Sequence, residues 1–147
     1  MTRWLNDAEM SAWRNYIVGS ALLEYRLTRD LQNGHGLSLA DYEILVGLSE
    51  SPQRRMRMSE LADYVAHSKS RISHQVRRLE NGELVERVDS HEDGRGVFAI
   101  LTDKGLRLLE EAAPTHVDSV REHLVDLLDE EEQQVMSRVF TRVTKHL

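Results

Sequence analysis

MSELADYVAHSKSRISHQVRRLENGELVERVDSHEDGRGVFAILT, residues 58–102, is the stretch whose reading decides the fold. It opens with two short helical patterns, 60–65 and 69–81, joined by the turn Ala66-His67-Ser68. That spacing is the spacing of a helix-turn-helix. Ser59 and Ser68 stand where N-caps are wanted, because a serine hydroxyl satisfies a free N–H of the first turn. Gly82 follows the second helix where a terminal glycine is expected. Residues 84–89 and 97–101 then alternate like the arms of a β-hairpin. Between them, 90–96 holds the polar and glycine residues of an extended turn. The stretch predicts a helix-turn-helix followed by a two-stranded wing.

Working outward, residues 8–32 carry Trp13, Tyr16, Ile17, Leu27 and Leu31 at helical steps, and Asn33-Gly34-His35-Gly36 ends that helix. Ser38 caps a second helix over 39–49, which Ser51-Pro52 breaks. The connection 53–58 is basic, with a very short strand expected near Arg57. After the wing a helix starts at Thr102 or Asp103, with Pro114 kinking or interrupting it. Asp129, with Glu132 three residues on, opens a last helix to His146. The fold class expected is mainly α: a winged helix-turn-helix over 37–103, with flanking helices in 1–36 and 104–147. Those helices are too apolar on one face to stand alone in water, so they are expected to meet a second copy of the chain.

The charge is uneven. The 147-residue chain carries a net −6. Residues 51–78 hold seven basic residues (Arg54, Arg55, Arg57, Lys69, Arg71, Arg77, Arg78) against Glu60 and Asp63, a local +5. The remainder has twelve basic and twenty-three acidic residues, or −11. A basic island in an acidic protein attracts phosphates to one face and repels them from the others.

That island centres on the helix 69–81. Ile72, Val76 and Leu79 share one face, and at about 100° per residue the opposite face collects Ser70, His74, Arg77 and Arg78, with Arg71 and Ser73 on the flanks. No acid precedes Glu80. Ser68 and Lys69 begin the same surface, where free N–H groups and the helix dipole favour anions. Arginine pairs with guanine edges, while serine and histidine reach bases or phosphates. In the wing, Arg95 lies between Gly94 and Gly96; a guanidinium there suits the negative potential of a minor groove. Asp89, Glu92 and Asp93 are competing partners for it.

The chain resembles the MarR family of winged helix-turn-helix regulators from end to end. The resemblance rests on LSLADYEILVGLSE (37–50), on MSELADYVAHSKSRISHQVRRLENGELVER (58–87), and on Asp93-Gly94-Arg95-Gly96 followed by Ala99-Ile100-Leu101-Thr102-Asp103-Lys104-Gly105. It implies a homodimer with interlocked terminal helices. It implies a double-stranded, pseudo-palindromic operator, with one recognition helix per major groove and one wing per minor groove. It also implies repression relieved by a small anionic molecule, often phenolic or an aromatic acid. His74 departs from the Thr, Ser or Arg of many relatives, so base preference does not carry over. Trp13, Arg14 and Tyr16, assisted by His35, are the residues expected to hold an effector. Aromatics at helical spacing such as Trp13 and Tyr16 are more often packing between copies, and an arginine such as Arg14 more often pairs with one of the 25 acidic residues.

Other classes find less support. With no cysteine, disulfides and thiolate metal sites are excluded. No HExxH, glycine-rich phosphate loop or Gly-x-Ser-x-Gly points to an enzyme. His67, His74 and His91 would have to converge to make the chain metal-responsive; no cofactor is expected. A winged helix used only for protein contacts has no need for the +5 island. No apolar run approaches the roughly 20 residues of a membrane span, and MTRWLNDAEM lacks the apolar core of a secretory leader; a cytoplasmic protein is the expectation.

Overall fold

The computed structural model describes residues 1–90 and 96–147. Its helices are α1 (Asp7–His35), α2 (Leu39–Glu50), α3 (Met58–Tyr64), α4 (Lys69–Asn81), α5 (Asp103–His123) and α6 (Glu130–His146). Its strands are β1 (Arg55–Arg57), β2 (Val85–Asp89) and β3 (Val97–Leu101). The chain forms two compact units, Thr28–Thr115 and the pair of segments Met1–Leu27 and His116–Leu147.

The Thr28–Thr115 unit is the winged helix-turn-helix. Its core joins Ile44, Leu45 and Leu48 of α2 to Leu61 of α3, Ile72, Val76 and Leu79 of α4, and Val85, Ala99 and Leu101 of the sheet. Each element offers one apolar face, and burying such faces together is what stabilises it. The wing is larger than a hairpin. β1 lies along the far side of β3, giving the antiparallel order β1-β3-β2. Arg55 pairs with Ile100, Met56 with Ala99 and Arg57 with Phe98.

Local capping sets most of the boundaries. Ser38 and Asp41 form a reciprocal capping box at the start of α2, and Asp129 with Glu132 does the same for α6. Ser68 Oγ accepts the Arg71 N–H at 3.2 Å and starts α4. The start of α3 differs from the expected cap at Ser59. Glu60 accepts the Arg57 N–H at 3.4 Å, which draws the first turn back to Met58 and leaves Ser59 inside it. Pro114 does not interrupt α5, which is one helix from Asp103 to His123. Its ring is exposed, so the missing N–H costs a backbone bond but displaces no packing.

In the second unit the ring of Tyr16 on α1 meets that of Phe140 on α6, centroids 5.5 Å apart. Trp13 lies 6.2 Å from Tyr16. Along α6, Val135, Met136, Val139, Phe140 and Val143 form one apolar row, and all five stay exposed in the single chain. No helix among the described residues is long and apolar enough to cross a membrane.

Candidate nucleic-acid interface

The apolar stripe of α4 fixes which side of that helix faces out. Ile72, Val76 and Leu79 are buried. Ser68, Lys69, Ser70, Arg71, His74, Arg77 and Arg78 are exposed, and Ser73 is partly covered. The turn before α4 is held by the His67 N–H to the Ala62 carbonyl at 2.9 Å and by His67 Nδ1 with Gln75 Oε1 at 2.9 Å. Ala66 takes the left-handed conformation there, φ 53°, which is uncommon for a residue with a Cβ and marks a tightly specified turn. The start of α4 is thereby set rigidly against α3.

Two ion pairs tie α4 to its neighbours. Arg78 donates from Nη2 to Asp41 Oδ1. Asp41 is buried, and its other oxygen accepts the Ser38 N–H at 3.0 Å. The carboxylate that caps α2 thus also holds the last turn of α4. Arg78, expected among the outward donors, has its guanidinium directed to this carboxylate. Two residues on, Glu80 accepts from Arg87 Nε at 3.3 Å and Nη2 at 3.2 Å, joining α4 to β2. The side-chain bond from Arg87 holds the Glu80 carboxyl below the usual carboxylate range. This pair is therefore intact at neutral pH and lost as acid protonates Glu80. Both partners sit far apart in sequence or on different elements, so only the capping half of the Asp41 role, Ser38-x-x-Asp41, had a signal in the sequence.

Arg95 and His91 lie outside the described residues. The pairing of Arg95 with a groove or an acid, and a meeting of His67, His74 and His91, therefore have no geometry here. Among the described residues no group of three or more His, Asp or Glu is placed to hold a metal ion.

Of the residues expected to hold an effector, Trp13, Arg14 and Tyr16 belong to the unit of Met1–Leu27 and His116–Leu147, and His35 belongs to the Thr28–Thr115 unit. Trp13 and Tyr16 share a face of α1, but Arg14 projects about 100° around the helix from Trp13 and about 160° from Tyr16. His35 is the last residue of α1, and its Nε2 lies 2.8 Å from Thr115 Oγ1.

With this geometry the comparisons with known proteins agree. A family model described as MarR family matches residues 35–96. AbsC, a MarR family transcriptional regulator from Streptomyces coelicolor, is 48% identical, with 99% of this chain and 97% of that one covered and a TM-score of 0.92. The chain belongs to the MarR family. A second MarR family regulator from Streptomyces coelicolor, Sco3205, was solved in complex with DNA; it is 45% identical over 100% of this chain and 92% of that one, TM-score 0.96. The HTH-type transcriptional regulator MhqR of Bacillus subtilis is 29% identical over 81% of this chain and 83% of its own length. The three-stranded wing and the helix-turn-helix are thus the fold of a family of transcriptional regulators.

Proposed function

We propose that this MarR family regulator binds double-stranded DNA as a homodimer, at a pseudo-palindromic operator, and represses transcription until a small anion releases it. One observation carries the DNA reading: the exposed face of α4 offers Lys69, Ser70, Arg71, His74 and Arg77 with no acid before Glu80, in a chain of net charge −6. The likeness to Sco3205, which binds DNA in its solved complex, supports it. In this reading α4 enters the major groove and Arg95 the minor groove. Ser68 and Lys69 meet phosphates, Ser70, Arg71, Ser73, His74 and Arg77 face the bases, and Arg78 orients α4 through Asp41. Homodimerisation is supported by the exposed apolar rows of α1 and α6, among them Trp13, Ile17, Val139 and Val143, which a second copy would cover.

Selection of bound duplexes from a random pool tests the reading. The expected result is a two-fold motif with half-sites about one helical turn apart, bound with an affinity that falls steeply as salt rises. Arg95→Ala should weaken that binding and leave the dimer folded. No enrichment of any duplex at low salt would sink the DNA reading, and a winged helix for protein contacts would take its place.

The effector reading draws on the family resemblance and on the exposed Trp13, Arg14 and Tyr16. Arg14→Ala should leave operator binding intact and abolish release by an aromatic carboxylate such as salicylate. If release survives, the anion sits elsewhere. The cleft of about 240 Å³ lined by Ile72, Ser73, Lys69 and Arg87 is the next place to test.

A further inference from the structure

The outward face of α4 has a centre, and a histidine stands on it. At about 100° per residue, the buried Ile72, Val76 and Leu79 lie roughly 140–160° around the helix from His74. Between Lys69 and Arg78, His74 is therefore the residue that points most directly away from the core. It is exposed. Ser70, Arg71 and Arg77 stand within about 60° of it on the wheel, and all three are exposed as well.

The groups around this face are committed elsewhere. Gln75 is bonded to His67 of the preceding turn at 2.9 Å. Arg78 turns to Asp41 of α2, and Glu80 holds Arg87 of β2. His67, Asp41 and Arg87 thus reach α4 from neighbouring elements, and each is bonded to a side chain other than His74. Of the acids on α3, Glu60 accepts the Arg57 N–H at 3.4 Å, and Asp63 is exposed. On its own helix the charges that flank His74 are cations, Arg71 and Arg77, one turn to either side.

A helix laid in a major groove turns the middle of its outward face to base edges and its flanks to phosphates. An imidazole is short beside an arginine, so a ring at the centre meets bases where longer side chains at the flanks reach the backbone. Histidine is also the side chain that changes charge between pH 5 and 8. The neutral ring carries one donor and one acceptor, and the protonated ring carries two donors. Guanine presents two acceptors in the major groove, N7 and O6, and the surrounding phosphates favour the charged form of a base set among them.

We propose that His74 is a specificity-determining residue of α4 that takes up a proton as the helix engages its operator, so that binding tightens as pH falls. The proposal rests on the DNA reading above and adds to it a proton-linked regulation of the same surface. The sign follows from linkage. A proton held more tightly in the complex than in the free protein strengthens binding at low pH, and that gain is lost as pH rises. The gain is at most about tenfold in affinity per pH unit for each protomer that binds one proton.

The test is operator affinity of the full-length protein between pH 6 and pH 8 at constant ionic strength, since salt alone changes affinity. The duplex is the one recovered by selection, and His74→Gln and His74→Arg are measured beside the parent. The parent should bind several-fold more tightly at pH 6 than at pH 8. His74→Gln cannot take up the proton and should lose most of that dependence, with a melting temperature within the small range of surface substitutions. His74→Arg carries a fixed charge and should bind with a nearly level profile. Selection repeated with His74→Gln should change the preferred base at one symmetry-related position and leave the others. A parent that binds its duplex equally well across the range overturns the proposal, as does a His74→Gln variant that keeps the parent's profile. A motif unchanged at every position overturns the specificity role. If the parent binds no duplex at any pH, the DNA reading itself fails, and this proposal fails with it.

Discussion

Gly105→Ala is expected to lower the stability of the winged unit by about 3 kcal/mol, the upper part of the range for forced overpacking. Gly105 lies in the first turn of α5. A Cβ built there stands 2.2 Å from the carbonyl oxygen of Leu84, 3.1 Å from its carbonyl carbon and 2.7 Å from Leu101 Cδ1. Two of these are backbone atoms, and no rotamer change moves them. The Leu84 carbonyl is also fixed, because it accepts the Thr102 N–H at 3.1 Å. The Gly105 N–H is in turn held by Thr102 Oγ1 at 2.9 Å. Relief therefore requires the start of α5 to move away from the end of β3 and from the turn after α4. Helix propensity alone predicts the opposite sign, since Ala in place of Gly favours a helix by about 1 kcal/mol. Thermal unfolding at fixed protein concentration separates the two: the steric argument expects a melting temperature lower by roughly 6–12 °C. A variant as stable as the parent would show that α5 starts farther from Leu84. Gly47 is the internal control. Its Cβ would meet Tyr64 Cε1 at 2.6 Å, but Tyr64 is half exposed and its ring swings aside at smaller cost.

The contrast between these glycines shows what can be read without a structure. Ser38, Ser68 and Asp129 cap their helices through residues three positions away, so their role is written locally, and the helix-turn-helix follows from such local signals. Ile72, Val76 and Leu79 are equally local, because helical geometry alone puts them on one face. β1 became a strand of the wing through pairing with residues more than forty positions downstream, which no window across 53–58 contains. Glu60 moved the start of α3 because its reach to the Arg57 N–H outweighed the cap that Ser59 offered. Arg78 looked like its neighbour Arg77. The difference between them is Asp41, 37 positions away, and only the packed fold makes that partner available. The outward face of α4 was therefore readable as a set, while the division of labour within it was not.

That division leads to the strongest functional expectation. Arg71 and Arg77 are exposed on α4, and Ala is well tolerated in an exposed helix. The double variant Arg71→Ala/Arg77→Ala should keep its melting temperature within the small range typical of surface substitutions. Its operator binding should nonetheless collapse. A bidentate arginine–base pair contributes about 1–3 kcal/mol of discrimination, so losing two costs at least roughly thirtyfold in affinity. Arg71→Lys/Arg77→Lys distinguishes the two ways an arginine can act. Lysine keeps a phosphate contact but not the planar fork. If these residues read bases, the Lys variant loses its preference for the operator over a mismatched duplex while still binding both. If they only meet phosphates, preference is retained. Arg78→Ala should show the reverse pattern, with a lower melting temperature as its first effect. Removing that guanidinium leaves buried Asp41 with fewer partners, a loss of about 1–3 kcal/mol for an under-satisfied polar group. Binding by the Arg71/Arg77 double variant equal to the parent would exclude α4 as the reading helix, whatever the wing contributes.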